Sequence, residues 1–398
     1  MDAKLFENTQ IAFAGKNDKE LAQASWMFKL LGKPWLVGIG KILTWTAIKL
    51  QIPFAWVIRN NLFKQFCGGE SILECAQTTK ILDQHKVGTI LDYSIEGKQS
   101  EEDFSRTYEE IKETIRTANN NSHIPFCVFK VTGIGRFSLL EKINSGEPLN
   151  SNDKSELDQL KSRINAICQL ADDAKTPVFI DAEESWIQDA IDHLVTEMMA
   201  KFNRETVSVF NTIQLYRHDR LEFLKKSHEE AVKRGYKIGL KLVRGAYMEK
   251  ERQRAVDFEY PSPIQPNKAS CDLDFDLALK YCVEHIDDIN LCCGTHNEVS
   301  CNYLIELMKE FSVASDDKRI YFAQLFGMSD QISFNLSNIG YNVAKYVPYG
   351  PIKEVIPYLI RRAEENTSVK GQTGRELKLI QSERKRRKTQ RRAKEKQS

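Results

Sequence analysis

The chain has 398 residues, enough to bury one barrel-sized core or two smaller ones. Hydrophobic residues make up 41% and charged residues 28%, which is typical of a soluble globular protein. Residues 382–398 contain nine basic and two acidic side chains, so this segment has a charge of +7. Because the whole chain has a net charge of +2, residues 1–381 have a charge of −5. An acidic body offers no surface for nucleic acid. The basic segment, residues 371–398, has few apolar residues to bury and is expected to be disordered.

Nine cysteines are scattered along the chain without a C-x-x-C spacing. An odd number of cysteines, several of them inside apolar runs, is typical of reduced and buried thiols in a reducing compartment. Neither the cysteines nor the seven histidines show a metal-binding spacing such as H-E-x-x-H. The sequence therefore predicts no metal site.

Residues 1–84 have a composition of their own and are expected to form a helical N-terminal region. Four of the five tryptophans lie within it, at Trp26, Trp35, Trp45 and Trp56. Lysines interrupt the apolar runs there, so no run approaches the ~20 residues that a membrane-spanning helix needs. The mixture of Trp, Leu, Ile and Lys suits helices that lie in a membrane interface. It suits equally a helical layer packed on the main domain.

From residue 87 onward, short apolar or β-branched runs alternate with longer amphipathic stretches. The predicted strands lie near 87–93, 125–130, 177–181, 207–214, 237–243, 289–295, 319–325 and 342–347. The predicted helices lie near 102–118, 153–171, 184–202, 219–234, 273–287, 297–310, 329–338 and 352–366. Eight apolar strands separated by helices predict an α/β fold with a parallel sheet, a (β/α)8 barrel. A doubly wound open sheet is the alternative, but Gly133-Ile-Gly135 lacks the third glycine of a G-x-G-x-x-G turn.

Functional groups of such barrels gather at the carboxyl ends of the strands, and these ends are unusually polar here. They hold Asp92, Glu96, Lys130, Asp181, Gln214, Lys241, Arg244, His296, Asn297, Gln324 and Lys345. A single aspartate at such a position is more often a helix cap. Eight polar strand ends that converge on one mouth instead predict a binding site for a large anionic cofactor.

The last predicted helix carries Arg361 and Arg362, with Glu365 four residues after Arg361. The two arginines therefore stand on the helix about 100° apart, and Glu365 lies one turn from Arg361. Taken alone, this pattern is more often a solvated helix end with an ion pair. A guanidinium is permanently charged, however, and its fork fits a carboxylate at two points. Because the helix follows the eighth predicted strand, the arginines are expected to face the mouth and bind a carboxylate.

Four motifs resemble those of the proline dehydrogenase family and occur in its order. They are Phe179-Ile-Asp-Ala-Glu-Glu184, Lys241-Leu-Val-Arg-Gly-Ala-Tyr247, Gly294-Thr-His-Asn297 and Tyr358-Leu-Ile-Arg-Arg-Ala-Glu-Glu-Asn-Thr-Ser368. The resemblance covers residues 85–370 and implies a distorted (β/α)8 TIM barrel after a helical N-terminal region, with FAD bound noncovalently in its mouth. It also implies oxidation of L-proline to Δ1-pyrroline-5-carboxylate by hydride transfer to flavin N5. That reaction is the first step of proline catabolism, and a membrane quinone would accept the electrons.

The resemblance further implies roles for individual residues. Asp181 and Lys241 would be catalytic, with Lys241 near flavin N5, where many bacterial relatives carry an arginine. The substrate would contact Lys130, Tyr346, Arg361, Arg362, Leu325, Tyr247 and Glu96. FAD would contact Ala182, Gln214, Lys241, Val243, Arg244, Gly245, Ala246, Thr295, His296, Asn297, Gln324, Glu365 and Ser368. Glu96 and Arg361 are expected to form an ion pair that closes over bound proline.

Two other functions remain open on the sequence. A hydroxyproline dehydrogenase is the alternative within the family, although Tyr346 argues against it because that branch carries a smaller residue there. A nonenzymatic protein with a degenerate barrel is the other, although the charged strand ends are all retained. The expected partners are L-proline and a membrane quinone. Peripheral membrane association is expected on the cytoplasmic side of a bacterial inner membrane, or in a mitochondrion if the source is eukaryotic.

Overall fold

Eight parallel strands form the centre of the molecule. The computed structural model describes residues 4–33, 35, 38, 62–95, 99–119, 121–368 and 372–396. The strands are β1 (Val87–Tyr93), β2 (Phe126–Phe129), β3 (Val178–Ile180), β4 (Val209–Gln214), β5 (Ile238–Val243), β6 (Ile289–Gly294), β7 (Ile320–Leu325) and β8 (Val343–Tyr349). Each strand pairs with its sequence neighbour and β1 pairs with β8, so the sheet is a closed barrel. The predicted (β/α)8 fold is confirmed.

The strands are apolar along most of their length because both faces of the sheet are covered. Aromatic rings fill the inside of the barrel. Phe126 stacks on Phe179 with 4.4 Å between ring centroids, and Phe210 meets Phe126 edge-on at 5.5 Å. Ile90 and Tyr346 belong to the same buried cluster. This aromatic plug makes the barrel a packed core, so polar groups can gather only at its ends.

Fifteen helices are described. They are α1 (Thr9–Ala12), α2 (Asp18–Leu31), α3 (Lys64–Phe66), α4 (Ile72–Asp83), α5 (Glu101–Ala118), α6 (Phe137–Ser145), α7 (Ser151–Asp173), α8 (Ser185–Phe202), α9 (Arg220–Arg234), α10 (Met248–Asp257), α11 (Lys268–Glu284), α12 (Glu298–Glu310), α13 (Asp330–Asn338), α14 (Ile352–Ser368) and α15 (Gln372–Glu395). The helices α6 and α10, which follow β2 and β5, are additional to the predicted barrel helices. Short polar side chains begin several helices, as where Asn150 accepts the Asp153 N–H at 2.9 Å before α7.

The C-terminal segment forms a helix, so the expected disorder of residues 371–398 is wrong for the part that the structure describes. Leu379 and Ile380 of α15 are buried in a cluster with side chains of α1 and α2. Glu383 is fully buried and accepts a hydrogen bond from Arg387 at 2.7 Å. The many charged residues of the segment predicted disorder, but a few apolar and ion-paired residues lie on one face of the helix. This face packs against the N-terminal helices.

The tryptophan-rich segment falls largely outside the described residues, which exclude Trp45 and Trp56. Trp26 on α2 is 51% exposed and Trp35 is 63% exposed. None of the described helices is long and apolar enough to cross a membrane. Contact of residues 26–58 with a bilayer therefore stays a prediction.

Docking of α15 predicts a large effect of one apolar residue near its middle. Ile380 is 1% exposed, so Ile380→Ala leaves a cavity that weakens the packing of α15 by about 2–5 kcal/mol. Hydrogen exchange followed by mass spectrometry should then be faster across α15 and α2. Lys388→Ala, on the exposed face of the same helix, is the matched control and should leave exchange unchanged. Unprotected α15 amides in the wild-type protein would contradict the docking.

Candidate active site at the barrel mouth

Three side chains from three strand positions meet at the centre of the mouth. Lys241 of β5 donates to the Tyr346 hydroxyl on β8 at 2.9 Å and to Oδ1 of Asp181, which follows β3. Tyr346 donates its own proton to the same carboxylate oxygen at 2.8 Å. The ammonium group of Lys241 lies 4.7 Å from the Tyr346 ring centroid and 5.2 Å from that of Phe179. A buried, neutralised cation therefore rests directly on the aromatic plug.

Two further charged groups extend this network. Asp92 is the second-last residue of β1, and Lys130 directly follows β2. Burial raises the pKa of Asp92 to about 6, against the opposing effect of Lys130 and with a smaller contribution from Asp181 in the same direction. The Ser94 hydroxyl donates to the Asp92 carboxylate. Asp92 was expected among the polar strand ends but without a role of its own, although a carboxyl group at the end of an apolar strand was the available signal.

Glu183 follows β3 and is buried beside the end of β4. Its carboxylate accepts the Thr132 N–H at 3.1 Å and the Thr132 hydroxyl, while its own N–H donates to Gln188 Oε1 at 2.7 Å. Burial raises the pKa of Glu183 to about 7, opposed chiefly by Lys130. Gln214, a predicted cofactor residue, donates to the Glu183 carbonyl at 2.7 Å. The Gln214 amide group thus links the end of β4 to the backbone after β3.

Arg244 ties the ends of β5 and β6 together. It donates to Asp272 Oδ1 at 2.8 Å, to Thr295 Oγ1 at 2.7 Å and to Ser300 Oγ at 3.1 Å. Asn297 is the N-cap of α12, and its backbone N–H donates to Thr295 Oγ1 at 3.2 Å. The three predicted cofactor residues Arg244, Thr295 and Asn297 do lie together, but their side chains are already bonded to one another or to helices α11 and α12.

The turn after β5 requires a glycine. Gly245 has φ +131°, and a Cβ atom at this position would lie 2.5 Å from the Tyr216 ring. The turn leaves Val243 and Tyr247 half-buried and Ala246 exposed. These predicted cofactor and substrate residues therefore lie at the carboxyl end of β5, on the border of the mouth.

His296, which follows β6, lies among positive charges. Its Nδ1 atom is 2.9 Å from the hydroxyl oxygen of Ser329. Burial lowers the pKa of His296 to about 3, and the nearby Lys345, Arg362 and Arg244 lower it further. The imidazole is therefore neutral at physiological pH, while the cations around it suit an anionic group such as a pyrophosphate. The donor set at this end of the barrel fits the predicted cofactor.

Two further predicted site residues, Gln324 and Leu325, lie at the end of β7. Gln324 donates to the Thr295 carbonyl at 3.1 Å and accepts from the Ser333 hydroxyl at 2.7 Å. Leu325 is the register partner of Tyr346 across β7 and β8, which places the two beside each other. Ala182 is buried next to Asp181.

Helix α14 positions the arginine pair. Its buried face packs against side chains of α2. The α14 residues on this face are Ile352, Val355, Ile356, Tyr358, Leu359 and Ala363. Arg362 is 6% exposed, and its guanidinium carbon lies 5.2 Å from the Tyr358 ring centroid. Arg361 is half-buried. Glu96 lies outside the described residues, as do the side chains of Glu365 and Ser368, so the expected ion pair over the mouth stays a prediction.

A parallel barrel with lysine, arginine and carboxylate groups converging on one mouth belongs to the class of (β/α)8 proteins that hold ligands at the carboxyl ends of their strands. A family model described as proline dehydrogenase matches residues 75–375. The chain therefore belongs to the proline dehydrogenase family.

Relatives and solved structures agree with this membership. The chain is 35% identical over 382 residues to "Proline dehydrogenase 1, mitochondrial" of Dictyostelium discoideum, covering 85% of this chain and 67% of that protein. It is 38% identical over 241 residues to the protein of the same name from Homo sapiens, covering 59% and 40%. The barrel is similar to a crystal structure of proline utilization A from Bdellovibrio bacteriovorus, with TM-score 0.71, 22% identity and coverage of 92% and 39%. The chain thus spans only part of these proteins.

The raised pKa of Glu183 predicts a pH-dependent stability. Between its usual value of 4.5 and about 7, the folded protein holds a proton that the unfolded chain has released. The free energy of unfolding therefore falls as the pH rises through this window, and the loss persists above it. Glu183→Gln removes this titration, so the variant should gain about 3 kcal/mol relative to wild type between pH 4.5 and 7.5. Urea unfolding at several pH values measures the difference, and a constant difference would contradict the buried, protonated carboxyl.

Proposed function

We propose that the protein is an FAD-dependent proline dehydrogenase, which oxidises L-proline to Δ1-pyrroline-5-carboxylate and passes the electrons to a membrane quinone. The observation that carries the proposal is the buried Lys241–Asp181–Tyr346 network at the floor of a cationic mouth. Family membership and the names of the relatives support proline as the substrate. Structural likeness to proline utilization A supports the barrel that the reaction needs.

When bound, FAD would supply the oxidant for the reaction by accepting a hydride from proline. The residues that would hold it lie at the ends of β4 to β7. Arg244 and the neutral His296 would stand beside its pyrophosphate, since positive charge and a hydrogen-bonding ring suit phosphate oxygens. Gln214 and Gln324, both buried and bonded to backbone carbonyls, would shape the pocket wall. Lys241 would place one positive charge at the centre of the mouth.

Proline offers a carboxylate and a small apolar ring, and the mouth has groups for both. Arg361, Arg362 and Lys130 would bind the carboxylate by charge-assisted hydrogen bonds. Tyr346 and Leu325, which are neighbours across β7 and β8, would pack against the ring. Together these contacts would exclude water and orient the reacting carbon.

The position of Tyr346 favours proline over hydroxyproline. Its hydroxyl group is fixed by hydrogen bonds with both Lys241 and Asp181, so the ring cannot move aside without breaking two buried bonds. A hydroxyl group on the substrate ring would compete for this space. A nonenzymatic barrel is disfavoured because a buried charge pair is costly to keep, and replacing it with apolar residues is often neutral or stabilising.

Substrate binding by Arg362 can be tested with one substitution. Arg362→Met keeps an unbranched apolar stem but removes a charged hydrogen bond to the carboxylate, worth on the order of 1.5–3 kcal/mol. KM for proline should therefore rise tenfold or more, while flavin content per protein, measured by absorbance, should stay near normal. Lys353→Met, exposed on the same helix, is the matched control. A normal KM in Arg362→Met would contradict the assignment.

We also propose that the protein meets a membrane surface to deliver electrons, because quinones are insoluble in water. Helix α15 supports this proposal with a face of exposed basic residues, among them Lys385, Lys388 and Arg392. Trp26 is exposed on α2, against which α15 packs. Basic and tryptophan side chains on adjoining helices suit an anionic lipid interface. A mitochondrial or bacterial inner membrane would supply such a surface, and two of the relatives are named as mitochondrial.

Lipid binding by α15 can be separated from a general charge effect. A triple variant, Lys385→Gln, Lys388→Gln and Arg392→Gln, should lose about 1 kcal/mol of membrane affinity per residue at low salt. Co-sedimentation with vesicles of one-third anionic lipid measures the loss. The control variant removes the same charge from other exposed positions, namely Lys154, Lys233 and Lys318. Equal binding by both triple variants would contradict a role for α15.

A further inference from the structure

A buried cluster of four charged residues lies beside the mouth, and none of its members is a predicted substrate residue. It consists of Lys16, between α1 and α2, Asp330 at the start of α13, Lys345 on β8 and Glu376 on α15. All but Lys16 are at least nine-tenths buried. Lys345 pairs with Asp330 at 2.9 Å, and Lys16 pairs with the other oxygen of the same carboxylate. One buried aspartate is thus held between two lysines from opposite ends of the chain.

Glu376 makes a different contact from the other three. Its Oε1 atom accepts the backbone N–H of Ser329 at 3.0 Å. Burial raises the pKa of Glu376 to about 8, with Asp330 adding to the shift and Lys345 and Lys16 opposing it. The bond to Ser329 reaches into the connection between β7 and α13. A residue on the C-terminal helix therefore contacts the barrel's own catalytic end.

Ser329 is held in an unusual conformation. Its φ of 51° lies in the left-handed region, which costs a residue other than glycine on the order of 1–2 kcal/mol. In this conformation its N–H points to Glu376 and its hydroxyl oxygen lies 2.9 Å from Nδ1 of His296. The serine thus links the C-terminal helix to a predicted cofactor residue through two consecutive hydrogen bonds.

Helix α15 is anchored on both sides of this contact. Arg375 forms a two-point ion pair with Glu298 of α12, at 3.0 and 2.9 Å, and α12 begins two residues after His296. Arg387 donates to the backbone carbonyls of Phe13 at 2.9 Å and Lys16 at 2.8 Å. These ties fix α15 against the barrel and the N-terminal helices. Glu376 is therefore rigidly placed rather than a mobile surface side chain.

We propose that Glu376 is a positioning residue for the flavin site: it holds Ser329 in the left-handed conformation, and Ser329 in turn orients the imidazole ring of His296. This inference rests on the proposed function, because His296 is a flavin residue only if the mouth binds FAD. It assigns to the C-terminal helix a role in cofactor affinity. Loss of the contact allows the His296 ring to rotate. FAD binding must then order the ring, and this entropy cost lowers the affinity for FAD.

The test is a double-substitution cycle on FAD affinity, measured by titrating apoprotein with FAD and following flavin fluorescence. Ser329→Ala, which keeps the N–H but loses the bond to His296, should raise Kd tenfold or more, and Glu376→Ala, which acts through Ser329, should raise it several-fold. If Glu376 acts through Ser329, adding Glu376→Ala to Ser329→Ala should raise Kd much less than it does in the wild type. The near-ultraviolet and visible circular dichroism of bound flavin should change in the same two single variants.

The matched control is Glu383→Gln, a buried carboxyl on the same helix that contacts Thr9 and Arg386 instead of the barrel end. It should lower the melting temperature and leave Kd for FAD within twofold of wild type. The proposal is overturned if Glu376→Ala binds FAD like wild type, or if its effect is undiminished in the Ser329→Ala background. Wild-type apoprotein that binds no FAD would overturn the proposed function together with this inference. Wild-type binding with an unaffected Glu376→Ala would overturn the inference alone.

Discussion

The buried ammonium group of Lys241 is the interaction on which the rest of the site depends. A charge in this position is tolerated only because Asp181 neutralises it and Tyr346 completes the hydrogen bonding. Removing one partner of such a buried pair typically costs about 3–5 kcal/mol, since the other charge is left unpaired. The aromatic plug beneath keeps water from reaching the charge from inside the barrel. The closed barrel therefore supplies both the dry floor and the strand ends that bring the three groups together.

Charge also organises the outer parts of the molecule. Helices from both ends of the described chain meet beside the mouth, where Lys16 and Glu376 join Asp330 and Lys345 in one buried cluster. Helix α14, which carries Arg362, packs on α2, and α15 packs on α1 and α2. The N-terminal helices thus support both the proposed substrate arginine and the proposed flavin-positioning helix. Changes in this region are expected to affect binding although they lie far along the chain from the barrel motifs.

The barrel was predictable because parallel strands buried on both faces read as continuous apolar runs, as β2 and β3 do. Lys241 and Asp181 were expected at polar strand ends, which converge in a barrel. The site roles of these two residues and of Tyr346 came from the resemblance to the family and stay predictions. The docking of α15 was not predictable from charge, since the few residues that bury it, Leu379 and Ile380, are outnumbered by basic neighbours. Neither was the bond between Glu376 and Ser329, because it joins distant segments through a backbone conformation that serine rarely adopts.

The most direct measurement of the central proposal is anaerobic titration of the purified protein with L-proline. We expect a yellow protein whose flavin absorbance is bleached by proline, and far less by 4-hydroxy-L-proline at the same concentration. The bleaching should be lost in Asp181→Asn with flavin still bound, because the network that holds Lys241 would be broken. A purified protein without flavin, or a flavin that proline does not reduce, would contradict the proposal that this barrel oxidises proline.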